Sequence, residues 1–187
     1  DVLTTSDGIL SNEVGKDLFK SFTISEGSYY RYQKNGKYTA TAKFLGKKKL
    51  HKNVLEIWIL YHFQNEKLGN ARNGIWVKLD KNLNLIEPLN IKFIPDFLKN
   101  NQPSNFISNE NAENIINSLK QNGLEISKPV LSFNEKSEKY VYYSINKLTN
   151  IKNEIGQDSG STEIITIDAL DGKLLSIEKG VYELIIR

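Results

Sequence analysis

"EIITIDALDGKLLSIEKG", residues 163–180, decides the fold. Apolar and polar residues alternate on both sides of Asp171-Gly172, a pair suited to the positive φ angles of a tight reversal. The stretch predicts a β-hairpin in which Ile165 and Ile167 point inward and Gly172 holds the turn. A calcium loop of the EF-hand kind needs oxygen ligands at alternating positions. Counted from Asp168, the third position is Leu170, so "DALDGK" reads as a turn.

Around this hairpin the second half is rich in strands. "VYELIIR" (181–187) predicts a further strand with Tyr182, Leu184 and Ile186 on one face. Upstream, "NKLTNIKNEIGQDSGS" (146–161) reads as a long polar loop able to reach toward a partner. "YVYYSI" (140–145) is dense in β-formers, with Val141, Tyr143 and Ile145 sharing the face expected under a helix. "EISKPVLSF" (125–133) carries Pro129, the mark of an edge or a bulge. Before it, Ala112, Ile115, Ile116 and Leu119 recur at helical spacing, with Ser108 or Asn109 as cap and Lys120 with Gly123 as stop.

The first half follows the same plan in looser form. Leu10, Val14, Leu18 and Phe22 recur every four residues behind a Ser11 cap, a helix weakened by Gly15. "SYYRYQKNGKYTATAKFL" (28–45) predicts a hairpin around Asn35-Gly36. "NVLEIWILYHFQ" (53–64) is apolar on both faces and predicts a central strand. "GIWVKLD" and "LNLIE" follow as strand, turn and strand. "VKLDKNLNLIE" (77–87) and "ITIDALDGKLLSIE" (165–178) share apolar–x–apolar–Asp, a turn, then Leu and a closing Ile-Glu. Together with the helix-then-sheet order of both halves, this match predicts two tandem α+β units, each a helix on a mainly antiparallel sheet. Residues 1–87 form the first unit, 88–107 an irregular linker with three of the four prolines, and 108–187 the second.

Composition narrows the function classes. The chain has 187 residues, 25 basic and 22 acidic, for a net charge of +3, too balanced to imply a nucleic-acid partner. The one dense basic run, "GKKKLHK" (46–52), reads as a solvated loop tip. Without cysteine there is no disulfide, thiolate metal site or cysteine nucleophile. His51 and His62 lack metal-ligand spacing, and there is no Gly-x-Ser-x-Gly elbow or phosphate loop. No apolar run approaches the length of a membrane span. No catalytic, cofactor or metal site is expected. Tyr29, Tyr30 and Tyr32, beside Lys37 and Lys43, instead present a candidate partner-binding surface, next to strands carrying Trp58 and Trp76. The small polar start "DVLTTSDG" reads as a flexible leader left by a removed export signal.

The helix "NENAENIINSLKQNG" (109–123), the strand "YVYYSI" and the terminal "IITIDALDGKLL" together resemble a PepSY-type module. The signature residues are Asp168, Asp171, Gly172, Lys173 and Leu174; in the first half "DKNLN" lacks the glycine. The resemblance implies a helix on a curved antiparallel sheet of cystatin-like or PepSY-like class. It also implies an extracytoplasmic protein (periplasmic, secreted or lipid-anchored) that binds an envelope protein or peptide partner and restrains peptidases, without catalysis or cofactors of its own. The competing expectation is a small hydrolase or ligand carrier with its site between the two units.

Overall fold

The computed structural model describes residues 2–41, 50 and 52–183. It is an α+β structure with two antiparallel sheets and a few helices. Two compact units emerge, Asp1–Lys67 with Arg72–Gln102, and Leu68–Ala71 with Pro103–Arg187.

The first unit opens with helices α1 (Val2–Val14) and α2 (Lys16–Phe19), separated at Gly15, whose φ of 85° breaks the helical path. The sheet holds β1 (Phe22–Ile24), β2 (Tyr29–Lys34), β3 (Lys37–Thr41), β4 (Val54–Phe63) and β5 (Asn73–Asp80). One edge of β4 pairs with β5 and the other with β1 and then β2; β3 lies outside β2. Asn35 and Gly36 both take positive φ, as the predicted two-residue hairpin requires. Ile57, Ile59, Tyr61 and Phe63 of β4 join Val77 and Leu79 of β5 in the core. The opposite face of β4 is only partly covered, with His62 exposed.

Several expectations for this region are corrected. Ser11 is not a cap but lies inside α1, and Phe22 belongs to a strand. Residues 2–8, expected to be flexible, are helical instead, because tertiary contacts hold them. Leu10 is fully buried, and the Tyr61 hydroxyl donates to Asp7 Oδ1 at 2.6 Å and lies 2.8 Å from Ser6 Oγ. Burial and the Asp7 bond together push the Tyr61 phenol well above its ordinary pKa. The expected strand "LNLIE" is a stub, a bridge between Leu79 and Leu85 plus Ile86 N donating to Lys78 O. Residues 88–102 group with this unit. Phe93, Ile94, Phe97 and Leu98 are buried, the last two in α3 (Asp96–Lys99).

The second unit begins with α4 (Asn109–Leu119), capped by Ser108, whose hydroxyl accepts from Asn111 N. Its sheet comprises β6 (Glu125–Ile126), β7 (Val130–Asn134), β8 (Lys139–Lys147), β9 (Ile151–Lys152), β10 (Asp158–Asp168) and β11 (Leu174–Glu183). β8 pairs with β7 and β6 on one edge and β10 on the other; β10 then pairs with β11. Pro129 falls in the break between β6 and β7. Ala112 and Ile116 of α4 are buried, as are Ile165 and Ile167.

Further corrections concern this sheet. The residues of β8 that share a face with Ile165 and Ile167 are Tyr142 and Ser144, paired with them in register, not Val141, Tyr143 and Ile145. Ile145 is 39% exposed, whereas Ser144 and Asn146 are buried. The "NKLTNIKNEIGQDSGS" stretch is no free loop. β9 folds back onto β10, and Asn153 Oδ1 accepts from Ile155 N and Gln157 N to close the turn. Finally, "KLLSIE" and the start of "VYELIIR" form one continuous strand; Leu184 and Ile186 lie outside the described residues. The turn between β10 and β11 is also wider than an Asp-Gly pair. Asp168 N donates to Lys173 O, Asp168 Oδ1 accepts from Leu170 N, and Gly172 sits at φ 72°. A Cβ on Gly172 would fall 2.5 Å from Ile115 Cδ1, so glycine also permits the turn to approach α4.

The same two local devices recur in both sheets. In the first, Asp80 ends β5; its N–H donates to Asn84 O and its Oδ1 accepts from Asn82 N, as Asp168 does at the end of β10. Stepping back from these aspartates, Trp76 pairs with Leu60 and Ile164 pairs with Ile145. At those two partners the adjacent strand is broken and a serine completes the ladder. Ser25 N donates to Leu60 O and Leu60 N to Ser28 Oγ; Ser127 N donates to Ile145 O and Ile145 N to Ser127 Oγ.

Candidate functional site

The tyrosines of the expected surface divide between the two faces of the first sheet. Tyr29 stacks on Trp58 with ring centroids 5.4 Å apart and meets Trp76 edge-on at 5.6 Å. Its register partner is Trp58, and Trp58 pairs with Lys78, so all three rows share the face opposite the core. Two cations cover Trp58: the Arg31 guanidinium lies 4.8 Å and Lys78 Nζ 4.2 Å from its ring centroid. Trp58 Nε1 donates to Glu56 at 2.9 Å, and Lys78 pairs with Glu87 at 2.7 Å. The cluster is a small amphipathic layer of rings, cations and carboxylates. Strand alternation positions it, since residues paired across neighbouring strands share a face.

Tyr30 and Tyr32 lie on the other face, their rings 5.7 Å apart. Lys37 pairs with Lys34 at the exposed tip of the β2–β3 hairpin, and Tyr38, which the sequence reading passed over, is 79% exposed. Tyr38 is visible in the sequence only as an aromatic just past the Asn-Gly turn. Lys43 and His51 lie outside the described residues. Among the described residues β3 pairs with β2 alone, which leaves it as an outer strand of the sheet. The first unit also contains a cleft of about 520 Å³ between the α1–α2 junction and residues 65–67 and 98–101. Its lysines are partly engaged: Lys67 Nζ donates to Gln102 O and Asn101 Oδ1, and Lys99 pairs with Asp96.

A second constellation lies in the other unit. Glu163 is fully buried, and its Oε1 accepts from Gln121 N at 2.7 Å and from Asn146 Nδ2 at 2.8 Å. Asn146 Nδ2 also donates to Gln121 O, which fixes the orientation of the amide. Glu163 Oε2, Asn146 Oδ1 and Ser144 Oγ are buried without a hydrogen-bond partner among the described residues. The signal for Glu163 was present in the sequence, because it sits two residues before Ile165 on the same inward face. Among the described residues no group of three His, Cys, Asp or Glu side chains is placed to hold a metal ion, and no helix is long and apolar enough to cross a membrane. Compared with family models, curated proteins and solved structures, the chain finds no match in any of the three.

Proposed function

We propose that the protein is a noncatalytic binding or inhibitory module of PepSY-like class, acting outside the cytoplasm on a protein or peptide partner. On this reading the two units are tandem copies of one helix-and-meander plan, and the recurrence of the aspartate turn and the serine-completed break supports it. The first unit then differs by an inserted outer strand, β3, whose hairpin carries Lys34, Lys37 and the exposed Tyr38. That arm is the observation on which the binding reading rests. An outer strand accepts an extended peptide through its backbone, and alternate side chains supply selectivity. Tyrosine adds large contact area for little entropy cost, and lysines at the tip favour an acidic segment.

The test is a photo-crosslinking residue placed at Tyr38, with one at exposed Glu113 as control, in cells of the native host. A single protein crosslinked from position 38 and absent from position 113 supports the reading. Identical products from both positions, or undiminished capture after Lys37→Glu is added, would overturn it.

A further inference from the structure

We propose that Glu163, Asn146 and Ser144 form a buried, all-oxygen site for a monovalent alkali cation. The argument starts from an electrostatic imbalance. A fully buried carboxylate needs a compensating charge, because its desolvation costs far more than two hydrogen bonds to neutral groups return. Glu163 has no ion pair with any described lysine or arginine; the nearby Lys147 is instead bonded to Glu125 at 2.8 Å.

Helix direction makes the imbalance worse. Glu163 accepts from Gln121 N, just past the Lys120 cap of α4, so the carboxylate sits at the negative end of the helix dipole. The last turn of α4 carries no basic residue, and its cap Lys120 forms no ion pair with Glu163 among the described residues. A positive charge at this point would compensate the ionised carboxylate.

The oxygens that lack partners describe what would supply it. Asn146 and Glu163 are direct cross-strand partners, and Ser144 stands two residues along the same face of β8. Because Asn146 Nδ2 is committed to two acceptors, Oδ1 is left as an acceptor, as is Glu163 Oε2. Gly123 packs directly on Asn146, for a Cβ there would collide with Asn146 Oδ1. One carboxylate matches one positive charge. Calcium and magnesium would each leave one positive charge uncompensated beside a single carboxylate, and magnesium also keeps a water shell that a covered site has little room for. Sodium or potassium fits the charge and the donor set.

The other unit argues against a purely architectural origin. Counting back from Asp80 and Asp168 along paired strands, the positions of Ser144, Asn146 and Glu163 correspond to Ile59, Tyr61 and Ile75. The first sheet fills them without a buried carboxylate, so the geometry of the sheet does not demand one.

The experiment is thermal unfolding of the full chain at constant ionic strength, with sodium or potassium chloride replacing tetramethylammonium chloride. We expect the melting temperature to rise saturably with one alkali cation, as binding to the folded state alone requires. Glu163→Gln and the milder Ser144→Ala should abolish or weaken that rise. Excess ²³Na relaxation that potassium displaces, measured on the wild-type chain, provides a readout independent of the variants. Equal melting temperatures in all the salts would overturn the proposal, as would a rise with calcium alone. A melting temperature indifferent to salt but falling steeply as pH rises would show instead that a proton neutralises Glu163.

Discussion

The two sheets use the same local chemistry to reach different interiors. At Leu60 and at Ile145 a serine hydroxyl stands in for a strand's carbonyl, and at Asp80 and Asp168 a carboxylate folds the chain back. Yet in the first sheet the inward face under α1 is apolar apart from the Tyr61 hydroxyl, which reaches Asp7. In the second, the inward rows at the same distance from Asp168 carry Ser144, Asn146 and Glu163. Turns and breaks are thus separable from core composition. A backbone plan needs its N–H and C=O groups paired and its reversals made, and it tolerates more than one way of filling the space beneath.

The comparison can be broken most severely by exchanging core chemistry. Ile59→Ser, which places in the first sheet the residue its counterpart uses, should cost about 2–5 kcal/mol. Ser144→Ala in the second, which removes a buried hydroxyl that has no partner among the described residues, should cost far less than Ile59→Ser when no alkali cation is present. Urea unfolding of both variants measures the difference, and equal midpoints would mean that the two interiors are interchangeable.

A smaller effect sharpens it. Ser28 is fully buried, so Ser28→Ala should leave Leu60 N without a partner and cost about 1–3 kcal/mol. Ser127 is exposed, and water can replace its hydroxyl at Ile145 N, so Ser127→Ala should cost less than about 0.5 kcal/mol. Hydrogen exchange at the two amides reports the contrast directly. Only the Leu60 amide should lose protection.

The smallest effect concerns acid. The Asn84 N–H first, opposed by desolvation, and then the Asn84 side chain, the Asn82 N–H and Lys81, hold the Asp80 carboxyl below its ordinary pKa. A carboxyl whose folded pKa is depressed stabilises the fold above its unfolded pKa of about 3.9, and that contribution vanishes as pH falls through the folded value. Asp80→Asn should therefore lower the urea midpoint slightly at neutral pH and leave it level with the wild type in strong acid. A difference between the two proteins that grows toward low pH would contradict the assignment of Asp80 as the closing acceptor of this turn.

How much of this was legible in advance depended on the range of the interaction. The Asn35-Gly36 hairpin, the Ser108-capped helix, the central strand at 54–63 and the inward Ile165 and Ile167 were all readable. Each follows from residues within a few positions of one another, where φ preferences, capping and period-two alternation act. The first helix was misplaced because what holds it is distant in sequence: Ser6 and Asp7 meet Tyr61 of β4, and Leu10 enters the core. Of the surface, the neighbourhood of Tyr29 with Trp58 and Trp76 was legible from adjacent strands. That β3 lies outside β2 was not, since strand order depends on distant segments.

The second sheet gives the clearest division. Alternation alone determined that Val141, Tyr143 and Ile145 share one face and Tyr142, Ser144 and Asn146 the other. It could not say which face lies inward, and apolar content favoured the wrong one. Register with β10 decided it, because Ser144 and Asn146 pair directly with Ile165 and Glu163 beside α4. A β-strand has two faces that its own residues define equally well, and only the element packed against it makes one of them the interior.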